Sequence, residues 1–228
     1  MEGRYPNSIM LTLAECSDPS RVDEWLDWYA HVHTPDVTSA GIFTNMIRFR
    51  NTDPNHVGRQ IANFSESDYE DPLEALEELK RRRDPFRDPS RYSPLTTVSP
   101  DGGPFCGIGG ELQFTSNSPV RGVLIQSFEL EDRANEMEFN NWFNDLRVPL
   151  VLGPGVFQSA YRYQAMADNG PERRFLCVYE TDRPDVAEAN SENIQLVSNS
   201  SRQESQFDGM NLQWEMTAER VFPLEGRQ

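Results

Sequence analysis

Residues 28–43, WYAHVHTPDVTSAGIF, return in altered form as WFNDLRVPLVLGPGVF at residues 142–157. The two stretches lie 114 positions apart, and the same offset aligns residues 8–68 with 122–182 without a gap. The matched pairs include Trp28/Trp142, Pro35/Pro149, Gly41/Gly155, Phe43/Phe157 and Arg48/Arg162. Solenoid repeats are only a few tens of residues long, so one repeat of this length predicts two tandem domains.

The length of the chain fits two small domains, and its net charge limits the partners that they can bind. Half of a 228-residue chain is enough for a small domain with its own core, and we predict one unit at residues 1–118 and a second at 119–228. The net charge of −16, from 21 basic and 37 acidic residues, repels phosphate backbones and anionic lipid surfaces. This charge argues against both nucleic acid and membrane lipid as partners.

The cysteines and the first residues suggest a cytoplasmic protein. Cys16, Cys106 and Cys177 are odd in number and widely separated, which is typical of reduced thiols. The stretch MEGRYPNS does not look like a leader peptide, and no apolar run approaches the length of a membrane span.

Hydrophobic periodicity predicts alternating strands and helices in the first half. Strands are predicted over residues 8–16, 42–50, 59–66 and 111–115. Helical spacing predicts a first helix that begins near Asp18 and ends near Thr34, because Pro35 disfavours helical geometry in the residue before it. A second helix is predicted over residues 69–83, followed by a loop rich in Pro, Asp and Gly over residues 84–110.

The second half repeats this order. Its predicted strands cover residues 122–130, 156–164, 173–181 and 211–218, and its predicted helices cover residues 134–147 and 184–197. LQF at residues 112–114 and LQW at residues 212–214 are read as corresponding final strands. Each half is therefore predicted to be a β-α-β-β-α-β, ferredoxin-like unit of an α+β protein. The bare sheet face of each unit must be buried, and two copies in one chain can bury it on each other.

A longer motif surrounds the repeated stretch in the first half. It consists of Glu24, Trp25, Trp28, Tyr29, His33, Pro35, Asp36, Val37, Gly41, Phe43, Arg48, Phe49 and Arg50. This motif resembles the EthD-like branch of the dimeric α+β-barrel superfamily. The resemblance implies that the two halves close a barrel as an internal pseudo-dimer, and pairing with a second chain as a homodimer stays open. It also implies a small-molecule pocket between the helices and the sheet of the first unit.

The two halves differ most at their histidines. All three, His31, His33 and His56, lie in the first half, and the offset places Arg147 opposite His33. An imidazole whose pKa is near neutrality can move a proton at physiological pH, so we predict that His33 is a catalytic acid or base.

Neighbours of His33 complete the predicted catalytic group. Asp36 could fix the tautomer of the ring, and Tyr29, one turn earlier, could donate a hydrogen bond to a developing oxyanion. The alternative is structural: His33 would bond a backbone carbonyl at the helix end, and Asp36 would cap the next turn. His31 would lie on another helix face and is expected to be exposed.

Three more residues are candidates for contact with a substrate. Trp28 and Phe43 could line the pocket, although Trp28 also has the spacing of a core residue. Arg48 could bind a substrate anion, but its recurrence as Arg162 favours a structural ion pair with the recurring acid Glu66, which returns as Glu180, or with another paired acid. We predict no metal site, because Pro35 breaks the regular spacing that His31, His33 and Asp36 would need as ligands.

Together with these residues, the resemblance to the EthD-like branch implies a cofactor-independent enzyme of natural-product metabolism. It would use acid–base chemistry to cyclise, isomerise or decarboxylate a small, apolar polyketide or aromatic substrate. One alternative is an anthrone-type monooxygenase that needs no bound cofactor, and another is a non-catalytic small-molecule binding protein. Relatives with two tandem units that bind haem hold it in their second half, and this chain has no histidine there.

Overall fold

The computed structural model describes residues 4–83, 88–108, 113–114, 118–167, 170–200 and 207–224. Its strands are β1 (Ser8–Cys16), β2 (Asn45–Asn51), β3 (Ile61–Ser67), β4 (Thr96–Val98), β5 (Gly103–Gly107), β6 (Gln113–Phe114), β7 (Gly122–Leu130), β8 (Ser159–Ala167), β9 (Gly170–Thr181) and β10 (Met210–Phe222). Its α-helices are α1 (Val22–Trp28), α2 (Thr34–Thr38), α3 (Pro72–Arg83), α4 (Glu136–Trp142), α5 (Val148–Leu152) and α6 (Val186–Ser198). The predicted α+β class is confirmed.

Eight of the ten described strands close into an antiparallel barrel. Around the barrel the order is β1, β3, β2, β10, β7, β9, β8, β5 and back to β1. Each half contributes four neighbouring strands, and the halves meet where β10 pairs with β2 and where β5 pairs with β8. Closure satisfies the backbone groups that an open sheet would leave unpaired at these edges.

The inside of the barrel is filled by alternate side chains of every barrel strand. The cluster combines aliphatic and aromatic residues from both halves, among them Leu11, Phe49, Phe64, Tyr163 and Trp214. Most of these side chains are fully buried. The two halves thus bury their inner sheet faces in one common core.

The helices cover the outside of the barrel, and the first one is longer than predicted. It does not end at Thr34: α1 continues through a π-helical turn, Tyr29–His33, into α2. The backbone N–H of Thr34 bonds the carbonyl of Tyr29, five residues back. This wider turn directly precedes Pro35, whose ring cannot donate to an α-helical hydrogen bond, and it lets the helix continue past the proline.

The second half contains a π-helical turn at the equivalent place. A π-helical turn at Phe143–Arg147 joins α4 to α5 just before Pro149, so the helix predicted over residues 134–147 extends to Leu152. Proline at this position therefore marks a change of helical pitch in both halves and not the end of the helix.

The segment predicted as a loop over residues 84–110 contains two strands. Both β4 and β5 pair with β1, and Phe105 of β5 is fully buried inside the barrel. Gly103, Pro104 and Gly107 have low β-propensity, so the sequence does not predict this strand. Neighbouring strands on both sides hold it in the barrel. Residues 84–87 and 109–110 lie outside the described part of the chain.

The predicted last strand of the first half is also corrected. Residues 111, 112 and 115 lie outside the described residues, and the remaining pair, Gln113–Phe114, forms the short strand β6 against β8. LQW lies in β10, which pairs with β7, the first strand of its own half. The position of β10 is taken in the first half by β5, so LQF and LQW do not correspond.

The other predicted elements are found within a few residues of their predicted bounds, and β7 has the bounds that were predicted. Across the part of the chain that the structure describes, no helix has both the length and the apolar character needed to cross a bilayer.

The barrel core makes a direct prediction for stability. Leu11 is fully buried in it, whereas Leu212 on β10 is 51% exposed. We expect Leu11→Ala to lower the free energy of unfolding by about 2–5 kcal/mol, because the removed side chain leaves a cavity. The control Leu212→Ala should change it by only about 0.5 kcal/mol. Urea unfolding followed by circular dichroism measures both values, and equal losses would contradict this assignment of the core.

Candidate functional site

A cleft of about 700 Å³ opens on the outer side of the first half. It lies between α2, the end of α3 and the segment around Arg91. Its described lining consists of Trp28, His33, Asp36, Val37, Ser39, Ala40, Arg81, Arg82, Arg83, Asp88, Arg91 and Tyr92. This volume suits a small organic molecule. Three predicted site residues, Trp28, His33 and Asp36, are therefore brought together.

The cleft is not in the expected place between the helices and the sheet. Helix α1 and the π-helical turn press Trp25 and Tyr29 against the strands, and α2 and α3 do the same with Val37 and Leu79. These side chains fill the space below the helices. The cleft is therefore bounded by helices and by the segment around Arg91.

His33 stands at the inner wall of the cleft between two aromatic rings. Its ring centroid lies 5.1 Å from that of Trp28 and 4.9 Å from that of Tyr29. Burial, with the positive charges of Arg48 and Arg83, lowers the pKa of His33 from 6.5 to about 4, so its imidazole is neutral at physiological pH. No group among the described residues hydrogen-bonds this ring, and its nitrogens are left for a ligand.

Asp36 lies in the same cleft but is held by another residue. Arg91 donates two hydrogen bonds to its carboxylate, from Nε at 2.9 Å and from Nη2 at 2.7 Å. This bidentate pair ties α2 to the segment that forms the far wall of the cleft. Asp36 is therefore a clamp between two walls, and no hydrogen bond joins it to His33 among the described residues.

Tyr29 and Phe43 are buried and do not reach the cleft. The ring of Tyr29 supports His33 edge-on and also packs edge-on against Trp25. Phe43 is 3% exposed and packs under α2 and α3 with Val37 and Leu79. Tyr29 thus positions His33, and Phe43 supports the floor of the cleft.

Arg48 is a buried cation that lies behind His33. Its side chain is 1% exposed, and its guanidinium lies 4.5 Å from the centroid of the Tyr29 ring. Nη2 donates to Thr34 Oγ1 at 3.1 Å, while the buried Nε has no partner. Desolvation lowers the pKa of Arg48 to about 10.

The predicted ion pair between Arg48 and Glu66 does not form. Arg48 pairs in register with Asn63, and Glu66 lies three residues further along β3. Successive side chains of a strand point to opposite faces, so Arg48 and Glu66 lie on different sides of the sheet. Glu66 instead accepts hydrogen bonds from Arg4 and Asn45.

The guanidinium of Arg162, the counterpart of Arg48, donates more hydrogen bonds than that of Arg48. It lies 4.4 Å from the Phe143 ring, as Arg48 lies over Tyr29, and it also donates to the side chains of Asn140 and Asn144 at 2.7 and 2.8 Å. The offset places Leu26 and Ala30 at these two positions in the first half. The first half therefore keeps the buried cation without the amides that satisfy it in the second.

Sequence reasoning missed the arginines of the cleft. Arg81, Arg82 and Arg83 end α3, where they read as ordinary cations at a helix C-terminus. Arg91 lies in a segment read as a loop. The available signal was the unusual run of three arginines in a strongly acidic chain.

The remaining histidines lie elsewhere. His31 is exposed, as predicted, and lies 2.9 Å from the carboxylate of Asp27. His56 lines a separate small cleft between the β2–β3 connection and α6. Within the described ranges, no three His, Cys, Asp or Glu side chains are grouped so that they could hold a metal ion.

The depressed pKa of His33 predicts how stability depends on pH. As pH falls below 6.5, the unfolded chain takes up a proton at His33, but the folded chain does so only near pH 4. The folded state therefore loses about 3 kcal/mol relative to the unfolded state across this window. In His33→Gln this loss should be absent, which urea unfolding at pH 7, 5.5 and 4 measures. The control His31→Gln should keep the loss. If the loss instead persists in His33→Gln and disappears in His31→Gln, the placement of His33 is wrong.

The contrast between the two buried arginines gives a second prediction. Arg162→Met should lower the free energy of unfolding by about 3 kcal/mol or more, because it strands the oxygens of Asn140 and Asn144. Arg48→Met should change it by less than about 1 kcal/mol, because it also removes a poorly compensated desolvation cost. Chemical unfolding of both variants tests this, and similar losses would show that Arg48 is as well satisfied as Arg162.

Comparisons with known proteins identify the fold. No protein-family model matches the chain, and no curated protein matches it in sequence. Among solved structures, DypB from Rhodococcus jostii RHA1 has a TM-score of 0.58 at 9% identity, covering 94% of this chain and 92% of its own.

Two further solved structures cover nearly the whole chain. A mutant chlorite dismutase from Candidatus Nitrospira defluvii has a TM-score of 0.53 at 10% identity and covers 96% of this chain and 93% of its own. An anthrone oxidase-like protein has a TM-score of 0.51 at 11% identity and covers 97% and 94%. At such identities the likeness concerns the fold alone, and this chain has the dimeric α+β-barrel fold of these proteins.

Proposed function

We propose that this chain is an enzyme that carries out acid–base chemistry on a small aromatic or polyketide-like molecule in the cleft at His33. The observation that supports it best is the state of His33: a desolvated, neutral imidazole between two aromatic rings, facing a cleft of about 700 Å³. Perturbed titratable groups in clefts are typical of catalytic sites.

In the proposed mechanism His33 is the general base. Its neutral ring accepts a proton from an acidic C–H of the substrate, and the resulting enolate cyclises or isomerises. In a decarboxylation the carboxylate group instead leaves as CO₂, its bonding electrons form the enolate, and a proton from solvent completes the product. Because the pKa of free His33 is low, the reaction needs a substrate whose carbanion is already stabilised by a carbonyl or an aromatic ring. The enolate itself lies beside His33 and raises the pKa of the imidazole, so the proton is held until it is returned.

Arg48, Tyr29 and Trp28 would position the base. The charge of Arg48 opposes protonation of His33 in the free enzyme, and the rings of Tyr29 and Trp28 fix its orientation. Asp36 would act through its bond to Arg91, which holds the two walls of the cleft together. Phe43 would act only through packing.

The lineage of the chain is part of the same proposal. We infer two tandem ferredoxin-like units of the EthD-like kind, at residues 1–118 and 119–228, in an internal pseudo-dimer. The strand order supports this: in each half the fourth barrel strand, β5 or β10, pairs with the first, the first with the third and the third with the second. That is the order expected of a split β-α-β unit.

A cofactor-free monooxygenase is the second candidate, favoured by the likeness to an anthrone oxidase-like protein. The same proton abstraction would start it, since an anthrone must lose a C–H proton before it reacts with oxygen. In balanced form, anthrone and O₂ would give anthraquinone and water. A third candidate, a non-catalytic carrier, would bind its ligand in this cleft and release it unchanged.

Haem does not fit the second half. A variant of Rhodococcus jostii DypB was solved in complex with haem. Here the second half has no histidine, and fully or almost fully buried aromatic side chains fill the space between its helices and its sheet. These side chains are Phe139, Phe143, Phe157, Phe175 and Tyr179. No step of the proposed mechanism uses haem.

Hydrogen–deuterium exchange tests the proton abstraction. Anthrone in D₂O without oxygen should exchange its methylene protons faster with the wild-type protein than without it, because His33 removes one of them. The rate is read by proton NMR. His33→Gln should remove most of the acceleration, about 100-fold or more for a lost general base, while the control His31→Gln should keep it.

Admitting oxygen then separates the candidate functions. Exchange without enzyme-dependent oxygen uptake supports acid–base chemistry, and exchange with oxygen uptake and anthraquinone formation supports the monooxygenase. Binding of anthrone with no accelerated exchange would favour a carrier. Full activity in His33→Gln would contradict the role of His33 in either enzyme.

A further inference from the structure

The first-half cleft has a counterpart in the second half. The offset of 114 extends to the second helix of each half, because α3 begins at Pro72 and α6 at Val186. Between α5 and α6 lies a cleft of about 390 Å³, lined by Pro149, Leu150, Gly153, Pro154, Leu196, Val197 and Ser200. Four of these residues match Pro35, Asp36, Ser39 and Ala40, and two match Arg82 and Arg83. The two clefts therefore occupy equivalent places on one duplicated scaffold.

The two clefts differ in the charge of their lining. The described lining of the second cleft is uncharged, with Leu150, Leu196 and Val197 at positions where the first has Asp36, Arg82 and Arg83. The first cleft carries four arginines against two aspartates, although the whole chain has a net charge of −16. The fold does not need cations at the positions of Arg82 and Arg83, because the second half has Leu196 and Val197 there.

Ion pairing neutralises only part of this charge. Asp36 accepts from Arg91, and Glu78 accepts from both Arg81 and Arg82. One carboxylate thus serves two guanidinium groups at the end of α3. With Asp88 also counted, four cations face three anions among the described residues around the cleft. Arg83 and Arg48 both oppose protonation of His33, which is consistent with a positive potential at that ring.

Flat apolar surface lies beside these cations. Trp28 and Tyr92 line the cleft together with Val37 and Ala40. The indole N–H of Trp28 donates to the carbonyl of Arg91 at 2.7 Å, which fixes the ring in the wall. A rigid aromatic wall beside guanidinium groups suits a ligand that is flat at one end and anionic at the other.

We propose that this cleft binds a planar aromatic carboxylate, with its rings against Trp28 and its carboxylate toward the arginines at the end of α3. The ring carbon nearest His33 would then be the reacting atom. This inference names the substrate class of the proposed enzyme and rests on the same cleft. It also changes the expected substrate from purely apolar to anionic.

Two matched probes test the charge requirement. Anthracene-2-carboxylate and anthracene-2-carboxamide share size and shape and differ in charge, and both can be titrated by fluorescence. The wild-type protein should bind the carboxylate at least tenfold more tightly than the carboxamide. Raising the salt from 20 to 300 mM should weaken binding of the carboxylate severalfold and leave the carboxamide unchanged.

The second half supplies the matched variant. Arg82→Leu with Arg83→Val installs the residues found at the related positions, Leu196 and Val197. This double variant should lose at least tenfold in affinity for the carboxylate and little for the carboxamide, with folding checked by circular dichroism. The control Arg133→Leu removes a distant surface cation that pairs with Glu136, and it should bind both probes as the wild type does.

Three results would overturn this inference: equal affinity for the two probes, unchanged carboxylate binding in the double variant, or no binding of either probe at millimolar concentration. They are separable from failure of the proposed function. Charge-dependent binding without His33-dependent exchange would leave the ligand class standing and remove the chemistry. His33-dependent exchange without charge-dependent binding would contradict only the proposed ligand class.

Discussion

Burial of the two inner sheet faces on each other is the constraint on which this structure depends. Each four-stranded sheet has one face that its own helices cannot cover, and closure of the barrel removes both faces from water at once. The inside is then packed with large side chains such as Tyr161 and Tyr163 and has no room for a substrate. The cleft that contains His33 therefore lies on the outside, where helices meet each other and the segment around Arg91.

The duplication separates what the fold requires from what one half has acquired. Both halves keep a buried arginine stacked on an aromatic ring, Arg48 on Tyr29 and Arg162 on Phe143, so the stack belongs to the fold. Only the second half satisfies the cation with two amides. A less well satisfied buried charge beside the neutral His33 is costly to stability, and proteins keep such costs mainly where function uses them.

Much of the fold could be predicted from the sequence, because periodicity and the internal repeat both report on burial. The prediction failed at β5, where Gly103, Pro104 and Gly107 conceal a strand that only its neighbours stabilise. It also failed at Pro35, since the cost of a helical proline depends on the preceding turn. At the site, the asymmetry between halves singled out His33 and Asp36, and Trp28 was predicted to line the pocket although it recurs as Trp142. Arg81, Arg82, Arg83 and Arg91 were missed because a charge run at a helix end usually faces solvent.

The π-helical turns also separate the shape of the helix from the side chains that it carries. Such a turn holds one residue more than an α-helical turn, and here it occurs at Tyr29–His33 and again at Phe143–Arg147, each time just before a proline. The two halves therefore have the same helix geometry at this place. His33 and the arginines of α3 have no counterpart in the second half. One backbone path thus carries a charged, histidine-containing wall in the first half and different side chains in the second.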